Sequence, residues 1–188
     1  MIILGVDPGT NLTGYGVIRQ DNNSFSLIKN GLIKLPARNS LSEKLVIIYD
    51  ELVKLMHFYK PNEFAIETAF YGKNVQSVMK IGYAKGAAIL AAAHCKVPMS
   101  EYSPREIKKS VVGKGAASKE QVSFMIKALL TIKEKKMKYD ESDALAVALC
   151  HAFRMSNHKK RGRDWKSFVE QFPERVVAHP QPFPKGRE

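Results

Sequence analysis

Four acidic residues stand at positions where a carboxylate needs a reason. Asp7 closes an opening run of five apolar residues and one glycine, "MIILGVD", and Glu67 closes the short apolar segment "FAI". Asp140 and Asp143 are three apart in "YDESDALAVALCHAF", on the first turn of an apolar helical pattern, so both project from one face. Either of these last two is also what a helix N-terminus favours by itself, since acids there complement unpaired amides and the dipole. Beside Asp7 and Glu67 the capping account weakens, because three or four converging carboxylates repel strongly unless cations lie between them. A set of oxygen donors with no His or Cys points to Mg2+ or Mn2+.

Such a cluster requires strands that end side by side. "IILGVD" is too uniformly apolar for a one-sided strand and belongs in the middle of a covered sheet. "GYGVIR" and "FSLIKNGLIKL" follow as second and third strands, with the turn-rich "QDNNS" making them antiparallel neighbours. "SLSEKLVIIYDELVKLMHFY" predicts a helix capped by Ser40 or Ser42, with Leu41, Leu45, Ile48, Leu52, Leu55 and Met56 on one face and Pro61 stopping it. "EFAIE" and "VPMSEY" are short strands on either side of a long helix, "NVQSVMKIGYAKGAAILAAAH". "SPREIKKSVVG", "SKEQVSFMIKALLTI" and "DESDALAVALCHAFRM" complete the helices. The order predicts a mixed, five-stranded α/β sheet with helices on both faces. If the strands carrying Asp7 and Glu67 are parallel neighbours, their ends lie about 4.8 Å apart, at the carboxyl edge where open α/β sheets take ligands.

Composition narrows the setting. The 188 residues are 45% hydrophobic and 26% charged, as in an ordinary globular protein, with room for one core and an appendage. The longest apolar run, "GAAILAAA", is far short of the roughly 20 residues of a membrane span, and the expectation is a soluble, cytoplasmic protein. Cys95 and Cys150 lack neighbouring ligands at metal-binding spacing and are expected to be reduced, buried thiols. A net charge of +12 marks a binder of polyanions. The residues from Arg154 onward carry nine Lys and Arg against four acids, so most of the excess lies earlier in the chain. The expected organisation is a domain over 1–155 and a basic, partly disordered extension over 156–188, either a DNA-affinity element or a merely solvated tail.

"ILGVDPGTNLTGYGVI", "FAIETAFYGKN", "EYSPREIKKSVVGKGAASKEQV" and "DESDALAVALCHA" resemble, in that order and spacing, the motifs of the RuvC family of Holliday junction resolvases. The resemblance covers about residues 1 to 153. It implies an RNase H-like fold, a homodimer, and Mg2+-dependent endonuclease cleavage of two opposed strands of a four-way DNA junction during recombination and repair. The family's acidic quartet falls on Asp7, Glu67, Asp140 and Asp143; some members carry a histidine in place of one of the last two, and this chain does not. Two ions roughly 3.5 to 4 Å apart can activate a water and stabilise the leaving 3′-oxygen, with Mn2+ as a substitute for Mg2+. Asp7 is expected to bridge both ions, Glu67 and the helix pair to complete their shells, and Asp143 or Asp140 to orient the water. The resemblance also implies work alongside the RuvA and RuvB branch-migration proteins.

The binding residues follow less directly. Arg105, Lys108, Lys109, Lys114 and Lys119 surround a Gly-rich turn and make a phosphate-gripping face; by resemblance Lys108 and Lys119 are the family's basic positions, while a solvated helix surface accounts equally for the others. Phe70 and Tyr71, just after Glu67, read either as a stacking wedge in DNA or as core packing. Gly9, Gly14 and Gly16 are expected to let backbone approach phosphate beside Asp7, although ordinary hairpin glycines look the same. Gly82 and Gly86, among Ala84, Ala87 and Ala88, allow either a dimer contact or close burial against the sheet. Two other readings remain open on sequence: an actin-like or sugar-kinase-type ATP phosphotransferase lobe, for which "GVDPGTNLTGYGV" is the phosphate loop, and a non-catalytic basic DNA-binding module.

Overall fold

The computed structural model describes residues 1–21, 24–68, 75–132 and 137–161, with side chains through residue 156. The chain divides into two compact units, Met1–Arg154 and Met155–Glu188, and the sheet lies in the first. Its strands are β1 (Ile2–Asp7), β2 (Leu12–Asp21), β3 (Ser24–Lys34), β4 (Glu63–Glu67) and β5 (Met99–Tyr102). The helices are α1 (Leu41–Tyr59), α2 (Val75–His94), α3 (Pro104–Val112), α4 (Lys119–Leu129) and α5 (Tyr139–Arg161). Strand order is β3-β2-β1-β4-β5, with the first three antiparallel and β4 and β5 parallel to β1. β1 is thus the central strand, as its uninterrupted apolar sequence requires.

Side-chain alternation along β1 assigns the two faces. Leu4 and Val6 pack with Phe64 and Ile66 of β4 under α1 and α2, where Ile48, Leu52 and Met56 meet Ala84, Ala88, Ala91 and Ala92. Ile3 and Ala65 point the other way, into a core built from Ile107 and Val111 of α3, Val122 and Ile126 of α4, and Leu145 to Cys150 with Ala152 of α5. Each face has its own hydrophobic cluster, so the sheet is buried on both sides. Of the apolar face expected for α1, Ile48, Leu52 and Met56 are buried while Leu41 remains exposed.

Helix boundaries follow local chemistry. Ser40 caps α1: its Oγ accepts from the Glu43 amide and the Glu43 carboxylate accepts from the Ser40 amide. The same reciprocal pairing joins Ser103 to Glu106 at α3 and Ser118 to Gln121 at α4. Each such cap stabilises its helix by about 1 kcal/mol. α1 ends at Lys60, whose φ of 47° turns the chain ahead of Pro61, and α3 ends at Gly113 with φ of 81°. α5 runs on to Arg161, past the Met155 end read from its apolar stretch. Polar residues continue a helix without leaving a hydrophobic period to mark them. Among the described residues, no helix is long and apolar enough to cross a membrane.

Candidate active site

The register of the central strands brings the first two acids together. β1 and β4 pair in parallel through Leu4↔Phe64, Gly5↔Ala65 and Val6↔Ile66, so the next step matches Asp7 with Glu67 at the carboxyl edge. Both lie two residues beyond the Gly5↔Ala65 pair and therefore share its face, the one covered by α5.

Glycines decide how closely α5 approaches. A Cβ on Gly5 would stand 2.3 Å from the Ala144 carbonyl oxygen and 2.7 Å from the Ala148 nitrogen. One on Gly14 would meet the Asp140 carbonyl at 2.0 Å, and one on Gly16 the Leu145 side chain at 2.5 Å. The helix backbone lies directly on β1 and β2, which carries Asp140 and Asp143 toward Asp7. This corrects the phosphate role expected of Gly14 and Gly16: the space they leave is filled by protein. Gly9 lies in the turn after β1, where an added Cβ would meet the Leu12 carbonyl at 2.1 Å and Thr13 Oγ1 donates to the Gly9 carbonyl.

A cavity of about 240 Å³ opens at this edge, lined by Asp7, Glu67, Asp143, Lys108 and Lys119 against the apolar wall of Ile107 and Val122. Burial, and after it repulsion by Asp143 and Asp140, pushes the Asp7 carboxyl up to about 7, with Lys119 opposing. Burial, then Asp7 and Asp143, pushes Glu67 up to about 8 against the pull of Lys119 and Lys108. Lys119 Nζ donates to Asp143 Oδ2 at 3.0 Å, and that bond raises the lysine above its ordinary value. Asp140 is outside the cavity lining; its carbonyl packs on Gly14, and its charge still acts on Asp7.

The donors suit a hard divalent cation in type, being carboxylate oxygens held in a desolvated, mutually repelling cluster. Among the described residues, no three Asp, Glu, His or Cys are gathered as a ready metal-binding group. Lys119 occupies one carboxylate in their place.

A wider cavity of about 940 Å³ adjoins, lined by Arg105, Lys108 and Lys114 with Ser103 and Gly115. Lys108 borders both cavities. Gly115 lies against the Arg105 side chain, where a Cβ would come within 2.7 Å of Arg105 Cγ. α3, which carries Arg105 and Lys108, is tied to α5 by Arg154, whose Nη2 donates to Glu106 Oε1 at 2.7 Å. Five of the basic and acidic positions read from sequence thus face one cavity, and Arg105 and Lys114 face the next. Phe70 and Tyr71 lie outside the described residues. Glu120 and Tyr139, which no sequence motif marks, join α4 to α5 beside the site through the Tyr139 hydroxyl; their one sequence signal is that Tyr139 stands four before Asp143.

The family model for the crossover junction endodeoxyribonuclease RuvC matches residues 3–151. The chain belongs to the RuvC family. It is 45% identical over 185 residues to the crossover junction endodeoxyribonuclease RuvC of Chloroherpeton thalassium, spanning 94% of this chain and 100% of that protein. The Cytophaga hutchinsonii protein of the same name is 44% identical, over 99% of this chain and 93% of its own. Among solved structures, Thermus thermophilus RuvC in complex with Holliday junction substrate superimposes with a TM-score of 0.80 at 30% identity, covering 84% of this chain and 96% of that one. A second T. thermophilus RuvC structure gives a TM-score of 0.77 at 30% identity, covering 84% of this chain and 97% of that one. The fold is therefore RNase H-like, and the chain is a nuclease of this family rather than a kinase lobe or a non-catalytic DNA-binding module.

Proposed function

We propose that this chain resolves four-way DNA junctions in recombination and repair, hydrolysing a phosphodiester in each of two opposed strands with Asp7, Glu67, Asp140 and Asp143 at its centre. The observation that carries the reading is the pairing of Asp7 with Glu67 at neighbouring strand ends, in a cavity shared with Lys108 and Lys119 and continued by the Arg105 and Lys114 groove. Acids alone would expel a phosphate. The lysines supply the attraction that brings one in.

Asp7 and Glu67, with Asp143 and Asp140 from α5, are the residues to hold Mg2+, in two ions, with Mn2+ able to serve in its place. When bound, such ions lower the pKa of water and stabilise charge on the leaving 3′-oxygen. Asp7 ends the central strand, is acted on by the charges of Asp143 and Asp140 and itself acts on Glu67, so it would be the ligand shared by the two ions. Asp143, or Asp140 a turn before it, accepts the hydrogen bond that aims the attacking water. Lys108 and Lys119 fix the phosphate, and Arg105 and Lys114 hold the strand leading to it. Phe70 and Tyr71 remain the proposed wedge into the junction.

Cutting both strands calls for two sites, which a homodimer provides. α2 supports this: Val75, Met79, Tyr83 and Leu90 are exposed along it, and a Cβ on Gly82 or Gly86 would meet nothing within 4 Å. The buried side of the helix uses its alanines instead, so the glycines are free for a second copy. RuvA and RuvB are the proposed partners on the junction, the cytoplasm the proposed location, and the 156–188 extension a further source of DNA affinity.

A synthetic four-way junction, incubated with the protein with and without Mg2+, tests the reading on one denaturing gel. Symmetric nicks in two opposed strands, present only with the cation, are expected. Equal cleavage of linear duplex, or nicking unaffected by chelator, would overturn it.

A further inference from the structure

We propose that Tyr139 is a positioning residue that holds Lys119 on the phosphate to be cleaved. The inference rests on the resolvase reading of the same site. Lys119 and Glu120 are the first two residues of α4, and Tyr139 is the first of α5. Tyr139 and Asp143 are four apart, so they stand one above the other on α5 and both face the start of α4. Two contacts cross between the helices. Lys119 Nζ donates to Asp143 Oδ2 at 3.0 Å and lies 5.9 Å from the centre of the Tyr139 ring. The Tyr139 hydroxyl donates to Glu120 Oε1 at 3.1 Å.

The two contacts have different fates during the reaction. Asp143 is needed for the cation and the water, so Lys119 must leave it when the site is loaded. A lysine on a flexible four-carbon stem then has a wide range of positions, few of which meet the phosphate. What remains between the two helix starts is Tyr139: its hydroxyl anchors Glu120, and its ring offers the ammonium a face within the roughly 6 Å reach of a cation–π contact. The ring is half exposed and Glu120 is exposed, which suits a guide rail better than a core element. Lys119 is freed from Asp143 without being freed from the site.

The test uses the full chain and a synthetic junction. Wild type, Tyr139→Phe, Tyr139→Ala, Lys119→Ala and the Lys119→Ala/Tyr139→Ala double variant are compared by single-turnover cleavage with Mg2+ and by junction binding across a salt series with Ca2+ in its place, a hard cation that takes the same carboxylates. Tyr139→Ala is expected to slow cleavage about tenfold and Tyr139→Phe, which keeps the ring, about threefold. Neither should change the melting temperature. In the Lys119→Ala background the tyrosine substitution should add nothing, since it acts through that lysine. The salt slope of binding should fall in Tyr139→Ala toward that of Lys119→Ala, as expected when one phosphate contact is lost. Equal effects of Tyr139→Ala with and without Lys119, or a wild-type rate and slope in Tyr139→Ala, would overturn the inference while leaving the resolvase reading in place. A wild-type protein that fails to cut junctions would overturn that reading, and the binding slopes would still decide whether Tyr139 governs Lys119.

Discussion

Asp7 and Glu67 end parallel strands one register step beyond the Val6↔Ile66 pair, and both turn toward the face covered by α5. Two carboxylates so placed tolerate each other only when a proton or a cation lies between them. Asp7→Asn removes both a ligand and the charge that its neighbours must offset. Cleavage of a junction should fall by about 10²-fold or more, the scale seen when a group stabilising transition-state charge is lost. Binding should hold or tighten, because less negative charge faces the phosphate. Retained Mg2+-dependent cleavage would remove Asp7 from the metal-holding role.

The same pair ties stability to pH. Unfolded, the two acids titrate near their ordinary values of 3.8 and 4.5; folded, they keep their protons up to about 7 and about 8. As pH rises through that interval the unfolded chain has already released protons that the folded one still binds, so folding is progressively disfavoured. His151, held below its ordinary 6.5 by burial, acts oppositely below that pH. From pH 6.5 to 8, then, the melting temperature in chelator should fall, and added Mg2+ should restore more of it at the upper end, where ligands deprotonate readily. Asp7→Asn should flatten the slope. A melting temperature that rises over this range in chelator would contradict the repulsion.

Much of this site was legible because its signals are local. An acid closing an apolar strand is conspicuous, and the two strand ends fall side by side once the sheet order is right. Caps at Ser103 and Ser118 likewise mark where the helices bearing Lys108 and Lys119 begin. The features without a local signal depend on contacts between distant segments. Gly14 and Gly16 look like turn glycines until α5 is laid across them, and only then is their role steric. α2 reads as one stripe of small residues, yet folding sends its alanines inward and its glycines outward. The Tyr139 hydroxyl finds Glu120 nineteen residues away, a separation with no periodicity to reveal it.

The seat of α5 on the sheet has its own consequence. Gly5→Ala drives a methyl group into the Ala144 carbonyl, with backbone on the receiving side and no flexible side chain to yield. Overpacking of this kind costs about 1 to 3 kcal/mol. The helix must lift, and Asp143 moves with it away from Asp7. Thermal unfolding should show the loss, and cleavage measured well below the melting point should fall more than the folded fraction does. A variant that melts early yet cuts at the wild-type rate when folded would separate α5 seating from catalysis.

The outward face of α2 gives the opposite expectation, a substitution that spares the fold and changes the assembly. Leu90 is 60% exposed, in line with Met79 and Tyr83 and with the open space beside Gly82 and Gly86. Leu90→Glu removes no core contact, so circular dichroism and melting of the monomer should be preserved. Placed at a two-fold interface the change counts twice, bringing two carboxylates into an apolar contact that offers them no partner. Sedimentation should show wild type as a dimer and the variant as a monomer at the same micromolar concentration. On the junction the variant should leave single nicks where the dimer leaves pairs, because coordinated cutting needs two sites held on one substrate. If Leu90→Glu sediments as wild type does, the dimer is built elsewhere and the glycines of α2 need another explanation.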